Sequence, residues 1–343
     1  MKLSNEAVAL YRSSDIVDLH VDTFIWTRIF GYDLLRRHGR GLLGARFYGQ
    51  ADLPRLREAG VGSAIWSITT NPFRRASRRA AVFAKNLDRL LAIFARAPDE
   101  VAVCRSAAEH RAARAAGRHA AFIGVQGGNA FDGDLALATF DASVLIKVTL
   151  VHLSTSSLGT TSAPTLGIGA GNGDGELTGR GVELVRALNR HRIFVDLAHI
   201  NRQGFFDAVA AHDKSQPLLV SHTGIAGVTK HWRNVDDEQL RVVADTGGVI
   251  GVMYQSSFLG ESNWSGRAEA IVTHLQHIID VVGEDHAALG SDWDGAIITP
   301  RDMQTCLELP LLVELMLQRG WSADRVRKIL GGNFLRALAL LRP

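Results

Sequence analysis

Residues 193–222 read IFVDLAHINRQGFFDAVAAHDKSQPLLVSH. Two apolar runs, Ile193 to Ala198 and Pro217 to Ser221, flank a stretch of helical periodicity from Arg202 to His212. That pattern spells a strand, a crossover helix and a second strand lying parallel beside the first. Each run closes on a histidine, His199 and His222. Working outward, the same unit recurs. Towards the amino terminus lie the runs Ile16 to Asp22, Val61 to Ile68, His119 to Gln126 and Val144 to Leu150, and towards the carboxyl terminus lie Gly248 to Met253 and His286 to Gly290. Helical periodicity fills the intervals, as in Arg75 to Arg96, Thr178 to Asn189, Asp236 to Thr246 and Arg267 to Val282. Eight strands alternating with helices make the count of a (β/α)8 TIM barrel, an α/β fold. Asp302 to Pro343 reads as C-terminal closing helices, broken at Gly331 and Gly332, with Asn333 capping the last one. Residues 1–343 are therefore expected to form one barrel domain.

The composition suits that reading. Of 343 residues, 46% are hydrophobic and 21% charged, enough apolar surface for a large core and too much for disorder. Thirty-eight basic side chains against 35 acidic ones leave a net charge of +3, which is no nucleic-acid footprint. The two cysteines, Cys104 and Cys306, lie far apart and offer neither a disulfide framework nor a thiolate zinc site. The run Met1 to Ala7 has no apolar signal core, and no stretch is apolar for the roughly 18 residues a spanning helix needs. A cytoplasmic protein without membrane or nucleic-acid partners is expected, and assembly into a homo-oligomer is compatible with the sequence. The glycine-rich run Gly167 to Gly175 fits no dinucleotide fingerprint and reads as a loop near the barrel mouth. Arg74, Arg75, Arg78 and Arg79 read as a solvated helix face.

Barrel enzymes carry their chemistry at the carboxyl ends of the strands. In Val17-Asp18-Leu19-His20-Val21-Asp22 alternation puts Asp18, His20 and Asp22 on one face, so His20 and Asp22 can face one ion. His199 and His222 close neighbouring strands, and Ser291-Asp292-Trp293-Asp294 ends the eighth strand with acids. Imidazoles mixed with carboxylates suit zinc and similar borderline cations better than magnesium or calcium. His152, just past Val144 to Val151, is aimed at the same mouth, and Arg233, after the sixth strand, could hold a carboxylate bidentately. A metal-dependent hydrolase follows; the sequence offers no G-x-S-x-G nucleophile elbow.

The motifs His-x-Asp, DLAH, SHTG, RNV, GSDWDG and KILGGNFLR follow one another in an order and spacing that resembles the membrane (renal) dipeptidases, peptidase family M19. The resemblance runs from about Asp15 to Arg336. It implies an amidohydrolase-type barrel that takes a small dipeptide-like substrate and holds one or two zinc ions. His20 and Asp22 then resemble the ligands of one zinc, and His199 and His222 those of the other. Asp292 resembles the acid that handles the proton of the attacking water, His152 the group that steadies the tetrahedral intermediate, and Arg233 the clamp on the substrate carboxylate. One position departs from the family. Val125-Gln126-Gly127-Gly128 stands where the family has Val-Glu-Gly-Gly, with the glutamate bridging both metals. Two dications against Asp22, Asp292 and one hydroxide leave a residual charge of about +1 that a glutamate cancels and an amide does not. The second zinc is thus expected to bind more weakly. The alternatives are a hydrolase of other amides or lactones, or a metal-poor relative that binds without hydrolysis.

Overall fold

Each of the eight runs forms a parallel strand in the computed structural model, which describes residues 2–41, 43–71, 74–131, 141–163 and 176–343. The strands are β1 (Val17–Val21), β2 (Ser63–Thr69), β3 (Val101–Val103), β4 (His119–Gln126), β5 (Leu145–Thr149), β6 (Phe194–Asp196), β7 (Leu219–Thr223), β8 (Val249–Val252) and β9 (Ala287–Leu289). Their order is β1-β2-β4-β5-β6-β7-β8-β9, and β3 pairs outside β4. The glycine-rich run 167–175 lies outside the described residues.

Where β1 and β9 meet, the barrel closes through a parallel bridge between Val21 and Trp293. The Asp22 amide donates to the Trp293 carbonyl at 2.8 Å, and the Asp292 amide to the His20 carbonyl at 3.0 Å. The eight-stranded closure accounts for the near-continuous apolar runs, since strands covered by helices outside and by one another inside have no solvated face.

Polarity is graded along the barrel interior. Alternate residues read Ile65, Ser67, Thr69 on β2, then Phe122, Gly124, Gln126 on β4, Phe194, Asp196 on β6 and Leu219, Ser221 on β7. The apolar end is plugged by Phe334 of the C-terminal helix Asn333–Leu341, whose ring lies 5.7 Å from that of Phe122 and 5.8 Å from that of Phe194. Burying one such ring contributes about 2–3 kcal/mol. The closed bottom leaves the other mouth for polar groups. Halfway up, Gly124 makes room for Lys147: a Cβ there would stand 2.9 Å from Ile65 Cγ2 and 3.1 Å from Lys147 Cε.

Helix starts follow from capping. Thr178 accepts a bond from the Gly181 amide before Gly179–Arg190, and Asp236 forms a reciprocal capping box with Gln239 before Asp237–Ala244. One expected cap is absent. Asn333 does not start a new helix, because Lys328–Gly332 is a π-turn that runs straight into Asn333–Leu341. Its side chain instead donates to the carbonyls of Glu284 at 2.7 Å and Ala287 at 2.8 Å. Gly331 serves close approach, not a break, since a Cβ there would meet the Asp15 carbonyl oxygen at 2.3 Å. The widened turn brings the backbone against the start of β1.

Candidate metal centre

At the open mouth the strand ends deliver their polar groups to one place. His20, on β1, is fully buried, and its Nε2 lies 3.5 Å from Asp22 Oδ1 and 3.8 Å from Asp292 Oδ1. The His20 and His222 rings are 3.9 Å apart, and His20, His222 and Asp292 bring ligand atoms within 4.8 Å of one another. His199 Nε2 and His222 Nε2 face each other at 2.9 Å. The head of Gln126 sits between the groups, with Nε2 3.2 Å from His199 Nε2 and 3.4 Å from His222 Nε2. The Thr69 hydroxyl lies 2.6 Å from Asp22 Oδ1 and 2.9 Å from Gln126 Oε1, tying β2 to both. His20, Asp22, Gln126, His199, His222 and Asp292 thus lie together at this mouth, and His152 and Arg233 line the cavity above it. The grouping differs in one respect: His222, besides facing His199, also brings a ligand atom within 4.8 Å of His20 and Asp292.

His199 does not end a strand. Strand β6 stops at Asp196, and His199 sits beyond it with φ +70°. Asp292 and Asp294 have φ +62° and +66°. Left-handed conformations at such residues cost on the order of 1 kcal/mol each or more and concentrate where a site dictates direction. Asp294 is held by the Thr23 hydroxyl and by the amides of Gln50 and Ala51, so it is a structural acid behind the site. Asp18 has the same standing: it accepts from the His20 and Ser291 amides, and burial pushes its carboxyl up to about 6.

Under the ligand cluster lies a polar layer that sequence reasoning missed. Lys147 is fully buried, with Nζ 2.7 Å from Asp196 Oδ2, 3.1 Å from the Thr149 and Ser221 hydroxyls and 3.0 Å from His20 Nδ1. A lysine inside the run Leu145-Ile146-Lys147-Val148-Thr149 was the available signal, because an ammonium in a covered strand needs a partner.

The electrostatics follow from enclosure. Burial and the nearby Lys147 charge lower the pKa of His20; burial, then Arg233, holds His199 well below the ordinary imidazole value, and burial, then His20, does the same for His222. Burial pushes His152 down to about 3. Each of these shifts favours the neutral ring, the form that offers a lone pair. Burial, then repulsion from Asp22, raises Asp292 well above the carboxylate range; at Asp22 burial pushes the carboxyl up, but His20, the Thr69 hydroxyl and His152 together bring it below its ordinary value. Enclosed atoms without a hydrogen-bond partner include His20 Nε2, His152 Nδ1, His199 Nδ1 and Asp292 Oδ1. Above them opens a cavity of about 830 Å³. Arg233 lines it, buried, donating from Nη2 to the His222 carbonyl at 2.6 Å while its Nε has no partner.

Residues 4–341 match the family described as membrane dipeptidase (peptidase family M19). The chain belongs to this family. It is thus a metallodipeptidase-like hydrolase on an amidohydrolase-type barrel, a family that works with a bound metal. Among its relatives is dipeptidase aclJ of Aspergillus oryzae, 25% identical over 94% of this chain and 77% of that protein. An uncharacterized protein from the pqqA 5′ region of Klebsiella pneumoniae is 34% identical over 47% of this chain and 60% of its own length. The fold also matches a Rhodobacter sphaeroides metallopeptidase liganded with a phosphinate mimic of the dipeptide L-Ala-D-Ala, at a TM-score of 0.82 and 28% identity over 95% of this chain and 98% of that one. Among the described residues, no helix of this M19 chain is long and apolar enough to cross a membrane.

Proposed function

We propose that the chain, acting as one barrel unit over residues 1–343, is a zinc-dependent hydrolase of dipeptides or closely related small amides with a free carboxylate. The observation that carries this reading is the cluster of neutral, enclosed imidazole nitrogens and carboxylate oxygens on the cavity floor, several of them without a hydrogen-bond partner. His199 Nε2 and His222 Nε2 face each other at 2.9 Å, a separation bridged either by a proton on one of them or by a cation against both. This donor set fits a borderline dication. His20 and Asp22 would hold one zinc, His199 and His222 the other, with the Gln126 amide oxygen turned between them. When bound, such ions polarise the scissile carbonyl and make water acidic enough to attack at neutral pH.

The chain's own groups do the rest. Asp292, whose Oδ1 is enclosed and without a partner, would take the proton lost by the attacking water and pass it to the leaving amine, and the upward push of burial and Asp22 on its carboxyl favours holding that proton in between. Arg233 presents its free Nε edge to the carboxylate of the carboxyl-terminal residue. His152, perpendicular to His199 with ring centres 4.6 Å apart, stands where a neutral ring N–H can donate to the oxygen of the tetrahedral intermediate. Gln126 sets the metal stoichiometry. As placed, its amide nitrogen satisfies the His199 and His222 lone pairs, so the second ion must displace that contact and gains no negative charge in return.

The test is the zinc content of the purified protein measured beside turnover of L-Ala-D-Ala and L-Ala-L-Ala. The expected result is one firmly held zinc, a second taken up only at raised zinc concentration, and dipeptide cleavage that chelation abolishes. A folded protein that takes up no zinc and cleaves neither dipeptide refutes the reading.

A further inference from the structure

The cavity has two unlike walls. Trp232, Met253, Phe258 and Ile297 line one of them, beside Arg233. The other is basic: the helix Phe24–Phe30, the segment after β2 and the helix Ala76–Phe94 bring Arg28, Arg74, Lys85 and Arg89 to its lining. This wall is joined to the floor. Arg28 Nη1 donates to the Thr69 carbonyl at 2.8 Å, and the hydroxyl of the same Thr69 touches Asp22. Arg89 Nη2 donates to the Thr27 carbonyl at 3.0 Å, which anchors the guanidinium and leaves its other edge uncommitted.

Among the described residues the charges on this wall are not balanced. Asp22 and Asp292, both on the floor, are the acids among the described lining residues, and no described carboxylate pairs with Arg28, Arg74, Lys85 or Arg89. Arg28 Nε is enclosed and without a partner. Burial and the like charges of Arg74 and Arg89 push the Arg28 guanidinium below its ordinary value, against the pull of Asp22. A solvated helix face, the expectation for Arg74, spreads its charges into water. Here Arg74, half-buried, and Arg89, still exposed, both line the cavity beside a half-buried third arginine. An anion bound among them relieves that repulsion and meets several charged donors at once.

We propose that this wall is a second anion subsite, and that the preferred substrates are dipeptides whose amino-terminal residue carries a side-chain carboxylate. The inference rests on the dipeptide reading above. Arg233 follows β7 and the basic wall flanks β1 and β2, so the two cationic groups stand on opposite sides of the ligand cluster. With the terminal carboxylate on Arg233 and the scissile amide over the cluster, the residue facing Arg28, Arg74 and Arg89 is the amino-terminal one. A glutamate or aspartate side chain there gains charge-assisted hydrogen bonds, and a lysine meets like charge.

The experiment compares kcat/KM for Glu-Ala, Gln-Ala and Lys-Ala, which have side chains of similar reach. Glu-Ala should exceed Gln-Ala by about tenfold at low salt, the ordinary advantage of a charged over a neutral acceptor. Lys-Ala should be slower than Gln-Ala, and the spread should shrink as salt is added. Arg74→Ala combined with Arg89→Ala should bring the Glu to Gln ratio towards one, and Arg89→Lys alone should keep part of it. A ratio cancels any general loss of folded or metal-loaded protein. Calorimetric titration with non-hydrolysable phosphinate analogues of Glu-Ala and Gln-Ala separates this inference from the dipeptide reading. Tighter binding of the Glu analogue without dipeptide turnover upholds the subsite and removes the dipeptidase assignment; equal binding of the two overturns the subsite whatever the turnover.

Discussion

Replacing Gln126 by glutamate changes one charge at the point where it matters most. The head of residue 126 stands 3.2 Å from His199 Nε2 and 3.4 Å from His222 Nε2, the atoms proposed to hold the second zinc. At an effective dielectric constant near 20, a unit charge about 4 Å from a dication is worth roughly 8 kcal/mol. Desolvating a carboxylate in an enclosed site takes back several kcal/mol. About 3–4 kcal/mol remains, a gain of two to three powers of ten in affinity for the second ion. The amide contact that satisfies both imidazoles is removed by the same change, which adds to the gain. The assay is equilibrium dialysis of wild type and Gln126→Glu against buffered free zinc, with metal content, circular dichroism and dipeptide turnover read on the same samples. The variant should fill its second site at zinc concentrations where the wild type holds one ion, and its dipeptidase activity should rise in step. Two ions held by the wild type at the lowest free zinc would refute the charge argument. A variant that gains the ion but not the activity would leave that argument intact and place the limitation in the substrate cavity.

Two further predictions concern buried charge. Lys147→Met strands Asp196, which stays bonded to the Ser221 amide and to the Thr149 and Ser221 hydroxyls but loses its counter-ion, so a loss of about 3–5 kcal/mol is expected in urea unfolding. A loss under about 1 kcal/mol would show that the neutral donors suffice for Asp196. His119, fully buried between the Val61 carbonyl and the Trp66 indole N–H, is held at about 4 by burial. Below the ordinary histidine value of about 6.5 the unfolded chain takes up a proton that the folded chain refuses, so His119 makes stability fall as pH drops from about 6.5 to 4, by up to ~1.4 kcal/mol per pH unit. His119→Gln should flatten the pH slope of the unfolding free energy by that amount across this window, and an unchanged slope would mean that the ring is protonated in the fold.

The residues of the mouth were legible because a barrel places them by a simple rule. An apolar run that ends in His or Asp reads as a covered strand delivering a polar group, and His20 and His222 lie within their strands, while Asp292, like His199, sits three residues past the end of its own. What periodicity does not carry is anything settled by distant contact. Strand β3, three residues long like β6 and β9, was missed because the eightfold count is complete without it: it pairs with β4 outside the barrel circuit. Asn333 was expected to be a cap because Gly-Gly before Asn resembles a helix break; the close approach of Gly331 to Asp15, over 300 positions away, decides otherwise. DLAH identified His199 but not its left-handed backbone, and nothing local told that Lys147 would rest beneath His20.

The seam between β1 and β9 carries a consequence for synthesis. Asp22 and Asp292 come from opposite ends of the chain, and both are anchored across that seam, Asp22 to Trp293 and Asp292 to His20. A nascent chain that has folded its first seven barrel strands still lacks the strand that supplies Asp292, and its first strand has an open edge. Joining them closes a loop of some 270 residues, the longest the barrel requires, and so belongs to the end of folding. A chain whose last barrel strand has not yet met the first therefore has no complete hydrolytic centre.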